Sequence, residues 1–362
     1  MNTNQIRKFA TTARTKLLEG VKSKLKAYFD EKGNPHLVPQ PIQGGCIYGE
    51  QVLDETFYRA WLSLNNHIEL YGFRGTVEEV AYTWFNRLVA INILAKNSLA
   101  VPVLQYANSD VQVPLIVELA QAGQCPEMSV DARRKLNELL NDPTKTFEQF
   151  AFLIDRYCAA NPIIKKCFGK VDDYSYLLLP NNILKEDQLV GMLNSTEYIS
   201  DEDYRSPELI GWLYQFYISE RKDEVFAKKG KFESDEIPAA TQIFTPNWIV
   251  KYMVQNSLGR IYLDNEPYSD LATDMKHLVP TQPTAEKFTF TDVKELTCAD
   301  LACGSGHILN ECFDLLYDIY IEQGYSRKDA VENIFAYNLV GIDIDNRAKQ
   351  MATFALLLKA CR

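Results

Sequence analysis

Apolar residues recur every three or four positions along most of the first 235 residues, which is the spacing of one face of an α-helix. One such stripe runs through Trp84 and Leu88. Another follows Ser206-Pro207-Glu208, a sequence typical of a helix start, and contains Trp212 and Phe216. The pattern predicts a mainly α N-terminal domain over residues 1–235, with the aromatic stripes packed in its core.

Two segments then interrupt the helical pattern. Residues 227–238 are charged, contain glycine and are closed by proline, which is typical of a linker or a surface loop. Thr245-Pro246 suits the start of a helix, and Gly259 is placed to end it. Residues 260–296 are rich in Pro, Thr and Asp, and we interpret them as an irregular insertion.

Strand-like and helix-like segments alternate in the rest of the chain. The predicted elements are a strand at 296–300, a glycine loop, a helix at 307–323, a short helix at 326–336, a strand at 338–343 and a helix at 346–360. Such alternation predicts a parallel sheet. Residues 236–362 are therefore expected to form an α/β domain that follows the helical one.

Composition and charge argue against two classes of protein, strong nucleic-acid clamps and membrane-spanning proteins. The chain is 46% hydrophobic and 24% charged, and its net charge is −10, which argues against a chain that clamps nucleic acid over its whole surface. Residues 1–32 are the exception, with eight Lys and Arg, and form either a solvated amphipathic helix or a basic arm near DNA or a partner. No apolar run reaches the roughly 18 residues that span a membrane. We expect a cytoplasmic protein with no membrane partner.

The eight cysteines include no CxxC pair, and there are four histidines. This combination predicts reduced, mostly buried thiols and no metal site.

The candidate ligand-binding residues lie in the loop Asp300-Leu301-Ala302-Cys303-Gly304-Ser305-Gly306, at the carboxyl end of a predicted strand, where open parallel sheets bind their ligands. Glycines at 304 and 306 allow a tight turn and a close approach to a ligand.

The loop differs from a dinucleotide-binding GxGxxG sequence in two respects. Leu309 occupies the third glycine position, and the acidic strand end at Asp343 follows Gly306 by 37 residues instead of about 20. A carboxylate at Asp300 repels a pyrophosphate but suits an ammonium group, and Asp343 can accept hydrogen bonds from ribose hydroxyls. S-adenosylmethionine, a phosphate-free nucleoside with an amino-acid tail, fits both carboxylates.

The sequences "QIFTPNWIVKYMV" (242–254), "ADLACGSG" (299–306) and "VGIDID" (340–345) resemble the cofactor motifs of adenine-specific DNA methyltransferases. Together with "MNTNQIRKFA", "AYTWFNRLVAI" (81–91) and "IGWLYQFYISERKDEV" (210–225), they resemble the PglX family of BREX phage-resistance systems. The resemblance implies the first half of a Rossmann-like, S-adenosylmethionine-dependent methyltransferase domain. The cofactor-binding residues that it implies are Phe244, Thr245, Pro246, Asp300, Ala302, Cys303, Gly304, Gly306, Asp343 and Ile344, with Ile344 packing on the adenine ring.

Members of this family carry an (Asn/Asp)-Pro-Pro-aromatic motif downstream of the ribose acid. The motif accepts hydrogen bonds from the target amine and stacks on the flipped-out base. It is missing here, since no two prolines are adjacent, and "NEPY" (265–268) lies upstream of the glycine loop. We therefore expect an N-terminal part of such a protein, which is truncated before the catalytic motif and is inactive by itself.

The resemblance also implies partners. DNA is the expected partner of the complete protein, other BREX proteins are expected in the defence complex, and a phage-encoded inhibitor is a further candidate. Two alternatives remain open. The chain could be a non-catalytic interaction module of a defence complex, or a nicotinamide-dependent oxidoreductase, which Leu309 and the spacing of the acids disfavour.

Overall fold

The computed structural model describes residues 1–108, 111–206, 208–228, 230–233, 236–243, 245–280 and 288–361. These residues form two compact units, Met1–Ser206 and Pro207–Arg362. Phe244, one of the expected cofactor-binding residues, lies outside the described residues. Among the described residues, no helix combines the length and apolarity needed to cross a membrane.

The first unit is mainly helical, as the apolar spacing predicts. Its helices are α1 (Thr3–Leu25), α2 (Glu55–Lys96), α3 (Leu115–Gln121), α4 (Val130–Leu140), α5 (Thr146–Ala160), α6 (Pro162–Phe168), α7 (Asp173–Leu177) and α8 (Leu189–Asn194). Helix α2 is broken at Gly72, whose φ of 71° and ψ of 172° are not helical. Its second part is buried almost throughout and packs against α1 and α7.

This unit also contains short strands that the sequence pattern does not indicate. Strands β1 (Gln40–Ile42), β2 (Gly45–Tyr48) and β3 (Gln51–Asp54) form an antiparallel meander, and β4 (Tyr106–Asn108) pairs with β5 (Val111–Pro114). Each strand has three or four residues, too few to show a regular alternation of apolar and polar positions.

The second unit contains the α/β part of the chain. Its helices are α9 (Leu209–Ala227), α10 (Ile237–Thr241), α11 (Asn247–Val254), α12 (Arg260–Asn265), α13 (His307–Glu322), α14 (Arg327–Asn333) and α15 (Asn346–Ala360). Strands β6 (Cys298–Asp300) and β7 (Leu339–Gly341) pair in parallel, with Asp300 opposite Gly341. The parallel pairing and the flanking helices α13 and α15 agree with the alternation in the sequence.

The expected end of a helix at Gly259 is wrong. Helix α11 continues through a π-helical turn, Gln255–Gly259, into α12, and Gly259 keeps a helical φ of −61°. A Cβ atom at this position would lie 2.8 Å from Sδ of Met275. The absence of a side chain at Gly259 therefore leaves space beside the helix for the Met275 side chain. Val254, Leu258 and Tyr262 form a continuous buried face of this helix, which packs against α13.

Helix α9 lies in the second unit, where it packs against α10 and α15. The division at residue 206 therefore differs from the one expected near residue 235, because an aromatic stripe predicts a buried face but does not identify its partner. The described residues within 227–238, a range expected as a linker between domains, lie inside this unit. Within them Lys228 forms an ion pair with the buried carboxylate of Glu236.

Candidate functional site

A cavity of about 350 Å³ lies where β6 and β7 end, within the second unit. Its lining residues are Tyr214, Pro238, Thr241, Gln242, Ile243, Thr245, Asp300, Leu301, Ala302, Cys303, Gly304, Ser305, His307, Ile308, Asp343, Ile344 and Asp345. Because parallel strands end at the same edge of a sheet, Asp300 and Asp343, which are 43 positions apart in sequence, both line this cavity. The volume falls in the range of small-molecule sites, roughly 300–1,000 Å³.

Backbone hydrogen bonds fix the glycine loop to the end of the second strand. Ile342 N–H donates to the carbonyl of Asp300, and Cys303 N–H donates to the carbonyl of Ile342, both at 2.9 Å. Oδ1 of Asp300 accepts from Ala302 N–H at 3.2 Å. The parallel pairing thus continues past the strands and holds Asp300 and Cys303 at the cavity wall.

The two loop glycines have different neighbours. Gly304 has a φ of 53°, and a Cβ atom added there would meet nothing within 4 Å, so its backbone faces open space in the cavity. Gly306 has a φ of 79° and is the N-cap of α13, but a Cβ atom there would lie 2.7 Å from Cβ of Ala352 on α15. Gly304 lets a ligand approach the loop, whereas Gly306 lets two helices approach each other.

Leu309, at the third position of the glycine pattern, also has a packing role. A Cβ atom at Gly341 of β7 would lie 2.7 Å from Cδ1 of Leu309, so here the glycine of the contact is on the strand and the large side chain is on the helix. Close packing of helix on strand is therefore kept with the opposite arrangement of side chains.

Asp343 links the second strand to the glycine loop. Its Oδ2 accepts from Gly304 N–H and its Oδ1 accepts from Asp345 N–H, both at 2.8 Å. Each carboxylate oxygen has two lone pairs, so both oxygens keep acceptor capacity for hydroxyl groups of a ligand. Ile344 follows directly and is 73% exposed, which leaves an apolar side chain available to a flat ring.

Asp300 has a hydrogen-bonding capacity that the protein does not use. Among the described residues, its Oδ2 is buried and has no hydrogen-bond partner, although Oδ1 accepts from Ala302 N–H. A buried acceptor without a donor costs free energy, about 1–3 kcal/mol for a neutral group and more for a charged one. A cationic donor in the cavity would remove this cost, so the chemistry of the site fits an ammonium group.

The threonine–proline segment reaches the same cavity through Thr245. Its helix begins one residue later than expected, because Pro246 occupies the N-cap position with a ψ of 140° and Asn247 is the first helical residue. His307, the first residue of α13, also lines the cavity. Burial lowers the pKa of His307, and a hydrogen bond to the backbone of Thr245 and the carboxylates of Asp300 and Glu208 offset part of this effect.

The Cys303 thiol is kept protonated by its surroundings. Burial raises its pKa to about 11, and the carboxylates of Asp343 and Asp300 contribute to the increase. This agrees with the interpretation of Cys303 as a small loop residue and not a nucleophile. All eight cysteines of the chain are free thiols.

Most of the expected residues described by the structure lie together in the cavity wall: Thr245, Asp300, Ala302, Cys303, Gly304, Asp343 and Ile344. Pro246 and Gly306 are adjacent in sequence to residues that line the cavity, but they are not part of the lining. Their role in cofactor binding stays a prediction.

Sequence reasoning did not identify Tyr214, Asp345 or His307. Tyr214 belongs to α9, and its hydroxyl donates to Oδ2 of Asp345 at 3.0 Å across 131 residues of sequence. No local pattern reveals such a contact. The second acid of "DID" and the histidine after Gly306 were visible in the sequence, but their spacing matches no pattern that assigns a role.

Curated relatives cover nearly the whole chain. The adenine-specific methyltransferase BrxX of Escherichia coli O9:H4 (strain HS) is 35% identical over 99% of this chain and 31% of its own length. The adenine-specific methyltransferase PglX of Lacticaseibacillus casei (strain Zhang) is 33% identical over 100% of this chain and 33% of its own length. The chain thus spans about a third of the length of these relatives.

A more distant match is the type II restriction enzyme and methyltransferase RM.Eco57I of Escherichia coli, 28% identical over 42% of this chain and 15% of its own length. No protein-family model matches the chain. The matches to BrxX and PglX confirm the resemblance that the motifs indicate. By its sequence, the chain is a homologue of the adenine-specific methyltransferases BrxX and PglX.

Proposed function

We propose that residues 207–362 form the cofactor-binding part of an S-adenosylmethionine-dependent, adenine-specific DNA methyltransferase. The observation that carries the proposal is the arrangement of two carboxylates in one cavity. Oδ2 of Asp300 is buried without a donor, and Asp343 stands at the end of the neighbouring strand with spare acceptor capacity. A ligand with an ammonium group and a ribose fits both.

Each residue has a role in binding this ligand. Asp300 would hold the ammonium group of the methionine part, and Asp343 would accept hydrogen bonds from the ribose hydroxyls. The Gly304 backbone leaves room for the ligand beside the loop. Ile344 would pack on the adenine ring, and Thr245, with the neighbouring Phe244 and Pro246, would cover the methionine part.

When bound, S-adenosylmethionine supplies an electrophilic methyl group on its sulfonium. The residues of this chain bind and orient that cofactor. Acceptance of the target adenine amine is assigned in this family to an (Asn/Asp)-Pro-Pro-aromatic motif, which these 362 residues do not contain. In the complete protein we place DNA as the substrate and a BREX phage-defence system in the cytoplasm as the setting, with other BREX proteins and a phage-encoded inhibitor as candidate partners.

Asp300→Asn tests the proposal, because it keeps the shape of the side chain and removes its charge. Calorimetry should show that S-adenosylmethionine binds about tenfold to 150-fold more weakly, the equivalent of one charged hydrogen bond of about 1.5–3 kcal/mol. Binding of 5′-methylthioadenosine, which lacks the amino-acid part, should change by less than about twofold. Asp274→Asn, at an exposed position outside the cavity, is the control.

Equal losses for both ligands would remove Asp300 from the ammonium site. Absence of binding by a folded wild-type chain would reject the cofactor site, and would favour the alternative function as a non-catalytic interaction module of a defence complex.

A further inference from the structure

Helix α9 supplies two hydrogen bonds to the walls of the cavity. The Tyr214 hydroxyl donates to Oδ2 of Asp345 at 3.0 Å in a buried position. Two turns further along the helix, Nζ of Lys222 donates to the carbonyl of Gln242 at 2.7 Å. Asp345 and Gln242 both line the cavity, so one helix holds its wall at two points.

The contact of Tyr214 continues into the acid that we assign to the ribose. Asp345 N–H donates to Oδ1 of Asp343, and Gly304 N–H donates to Oδ2 of the same carboxylate, both at 2.8 Å. Hydrogen bonds at the side chain and at the backbone N–H of Asp345 therefore link Tyr214 on α9 to Asp343 and, through the Asp343 carboxylate, to Gly304 in the glycine loop. Tyr214 itself lines the cavity and is 4% exposed.

The position of Asp345 depends on donors from both sides. Its Oδ1 accepts from the backbone N–H of Arg347, where α15 begins, and from Nε of Arg347, both at 2.9 Å. Nε of Arg347 also donates to Oδ2 at 3.2 Å, so Tyr214 and Arg347 share this oxygen, with the Tyr214 hydroxyl at 3.0 Å. Because the backbone N–H of Asp345 donates a hydrogen bond to the Asp343 carboxylate, a change in the conformation of Asp345 would also move Asp343, the proposed ribose acceptor.

We propose that Tyr214 is a positioning residue for the cofactor site, which acts through Asp345 to hold the Asp343 carboxylate and the Gly304 amide in place. The inference rests on the proposed function, since it concerns the same site. It adds a residue from a helix that the sequence places among the helices of the N-terminal region and that matches no cofactor motif. Tyr214 lines the cavity, but the role that we assign to it is to hold Asp345 and not to bind the ribose.

Tyr214→Phe removes the hydroxyl and keeps the buried ring, and Asp345 retains Arg347 as a partner, so the variant should fold. Tyr217→Phe is a matched control, because Tyr217 is buried on the same helix but does not line the cavity. In the ligand-free chain, amide hydrogen exchange at Gly304 and Asp345 should become about threefold or more faster in Tyr214→Phe. It should not change in the control.

Calorimetric titration with S-adenosylmethionine gives the second readout. Tyr214→Phe should weaken binding about threefold to tenfold, the equivalent of one hydrogen bond. In a double-mutant cycle with Asp343→Ala, the same substitution should have less than about a twofold effect, because the carboxylate through which it acts is gone. A structural role elsewhere would give additive losses.

Unchanged exchange at Gly304 in Tyr214→Phe, or additive losses in the cycle, would overturn the proposal. If the wild-type chain does not bind S-adenosylmethionine, the proposed function fails by itself. Hydrogen exchange still decides in that case whether Tyr214 holds the Asp343 carboxylate.

Discussion

Two aspartates at the carboxyl ends of β6 and β7 differ in how their carboxylates are bonded. Asp343 accepts a backbone N–H on each oxygen, whereas Oδ2 of Asp300 is buried without a donor among the described residues. Asp343 is thus held in place by the protein, and Asp300 is available to a ligand. This difference matches a ribose, which needs fixed acceptors, and an ammonium group, which supplies the missing donor.

Asp343→Ala should weaken binding of S-adenosylmethionine at least about tenfold to 150-fold, because each hydrogen bond to a charged group contributes about 1.5–3 kcal/mol. The substitution also releases Gly304 N–H, so part of the loss reflects a less ordered loop. Calorimetric titration of the folded variant measures the change, with Asp274→Ala as the control at an exposed acid. An unchanged affinity would remove Asp343 from the site.

His307 should make the stability of the chain depend on pH. Burial lowers its pKa in the folded state below the usual value of 6.5, so the unfolded chain binds a proton at a higher pH than the folded chain does. This contribution to the free energy of unfolding is fully present above about pH 6.5. It is lost as the pH falls from there toward the lowered pKa.

Urea denaturation at pH 7.5 and 5.5 should therefore show a larger loss for the wild type than for His307→Gln, which cannot be protonated. His277→Gln, at a histidine outside the cavity lining, is the control. Equal losses for the wild type and His307→Gln would show that this ring is not the source of the pH dependence.

At the scale of elements, the glycine loop has two tasks that its sequence does not separate. The backbone of Gly304 faces the cavity, and Gly306, the N-cap of α13, lies close to Ala352 of α15. Both have positive φ, so any substitution strains the backbone, but a side chain at Gly306 also meets a neighbouring helix.

Gly306→Ala should accordingly destabilise the chain more than Gly304→Ala. A left-handed conformation costs a non-glycine residue roughly 1–2 kcal/mol, and overpacking adds roughly 1–3 kcal/mol at Gly306 alone. Chemical denaturation measures the difference in the free energy of unfolding between the two variants. Titration with S-adenosylmethionine should show that Gly304→Ala loses more cofactor affinity, relative to its loss of stability, than Gly306→Ala does. Equal stability of the two variants would contradict the close approach of α13 and α15.

The alternation of strand and helix in the last third of the chain could be predicted from the sequence. The expected helices at 307–323 and 346–360 correspond to α13 and α15 within a residue, because their apolar faces are regular. Strands β1 to β5 could not be predicted, since each is too short to show alternation. Gly259 misled the prediction because a glycine that makes room for Met275 looks the same as one that ends a helix.

The candidate site could be predicted as far as its residues are close in sequence. The loop at 300–306 and the acid at 343 were identified from strand ends and glycines, and the structure brings them to one cavity. Tyr214 could not be identified, because its contact with Asp345 arises from the packing of α9 on α15. Tertiary contacts of this kind leave no local periodicity.

At the scale of the whole molecule, the proposed cofactor site is contained in one of the two compact units. Among the described residues, those that line the cavity lie between 214 and 345, inside Pro207–Arg362. The basic segment at residues 1–32 belongs to the other unit, where α1 exposes Arg7, Lys8 and Lys22 but buries Arg14, which pairs with Glu78. Cofactor binding and any contact of that segment with DNA or a partner can therefore be tested separately.

The 362-residue chain should not transfer methyl groups to DNA by itself. The reason is the missing (Asn/Asp)-Pro-Pro-aromatic motif, without which no group is identified to accept the target amine. Incubation with labelled S-adenosylmethionine and plasmid or phage DNA measures this directly, with an active adenine methyltransferase as the positive control. Incorporation of label above that of a heat-denatured sample would contradict the prediction.

The most direct measurement is a calorimetric titration of the purified chain with S-adenosylmethionine, S-adenosylhomocysteine and NADH, each in a separate experiment. The two carboxylates of Asp300 and Asp343 predict that the first two ligands bind at one site per chain and that NADH, with its pyrophosphate, does not. Binding of NADH, or failure of both adenosyl ligands to bind a chain shown to be folded by circular dichroism, would contradict an S-adenosylmethionine site in this cavity.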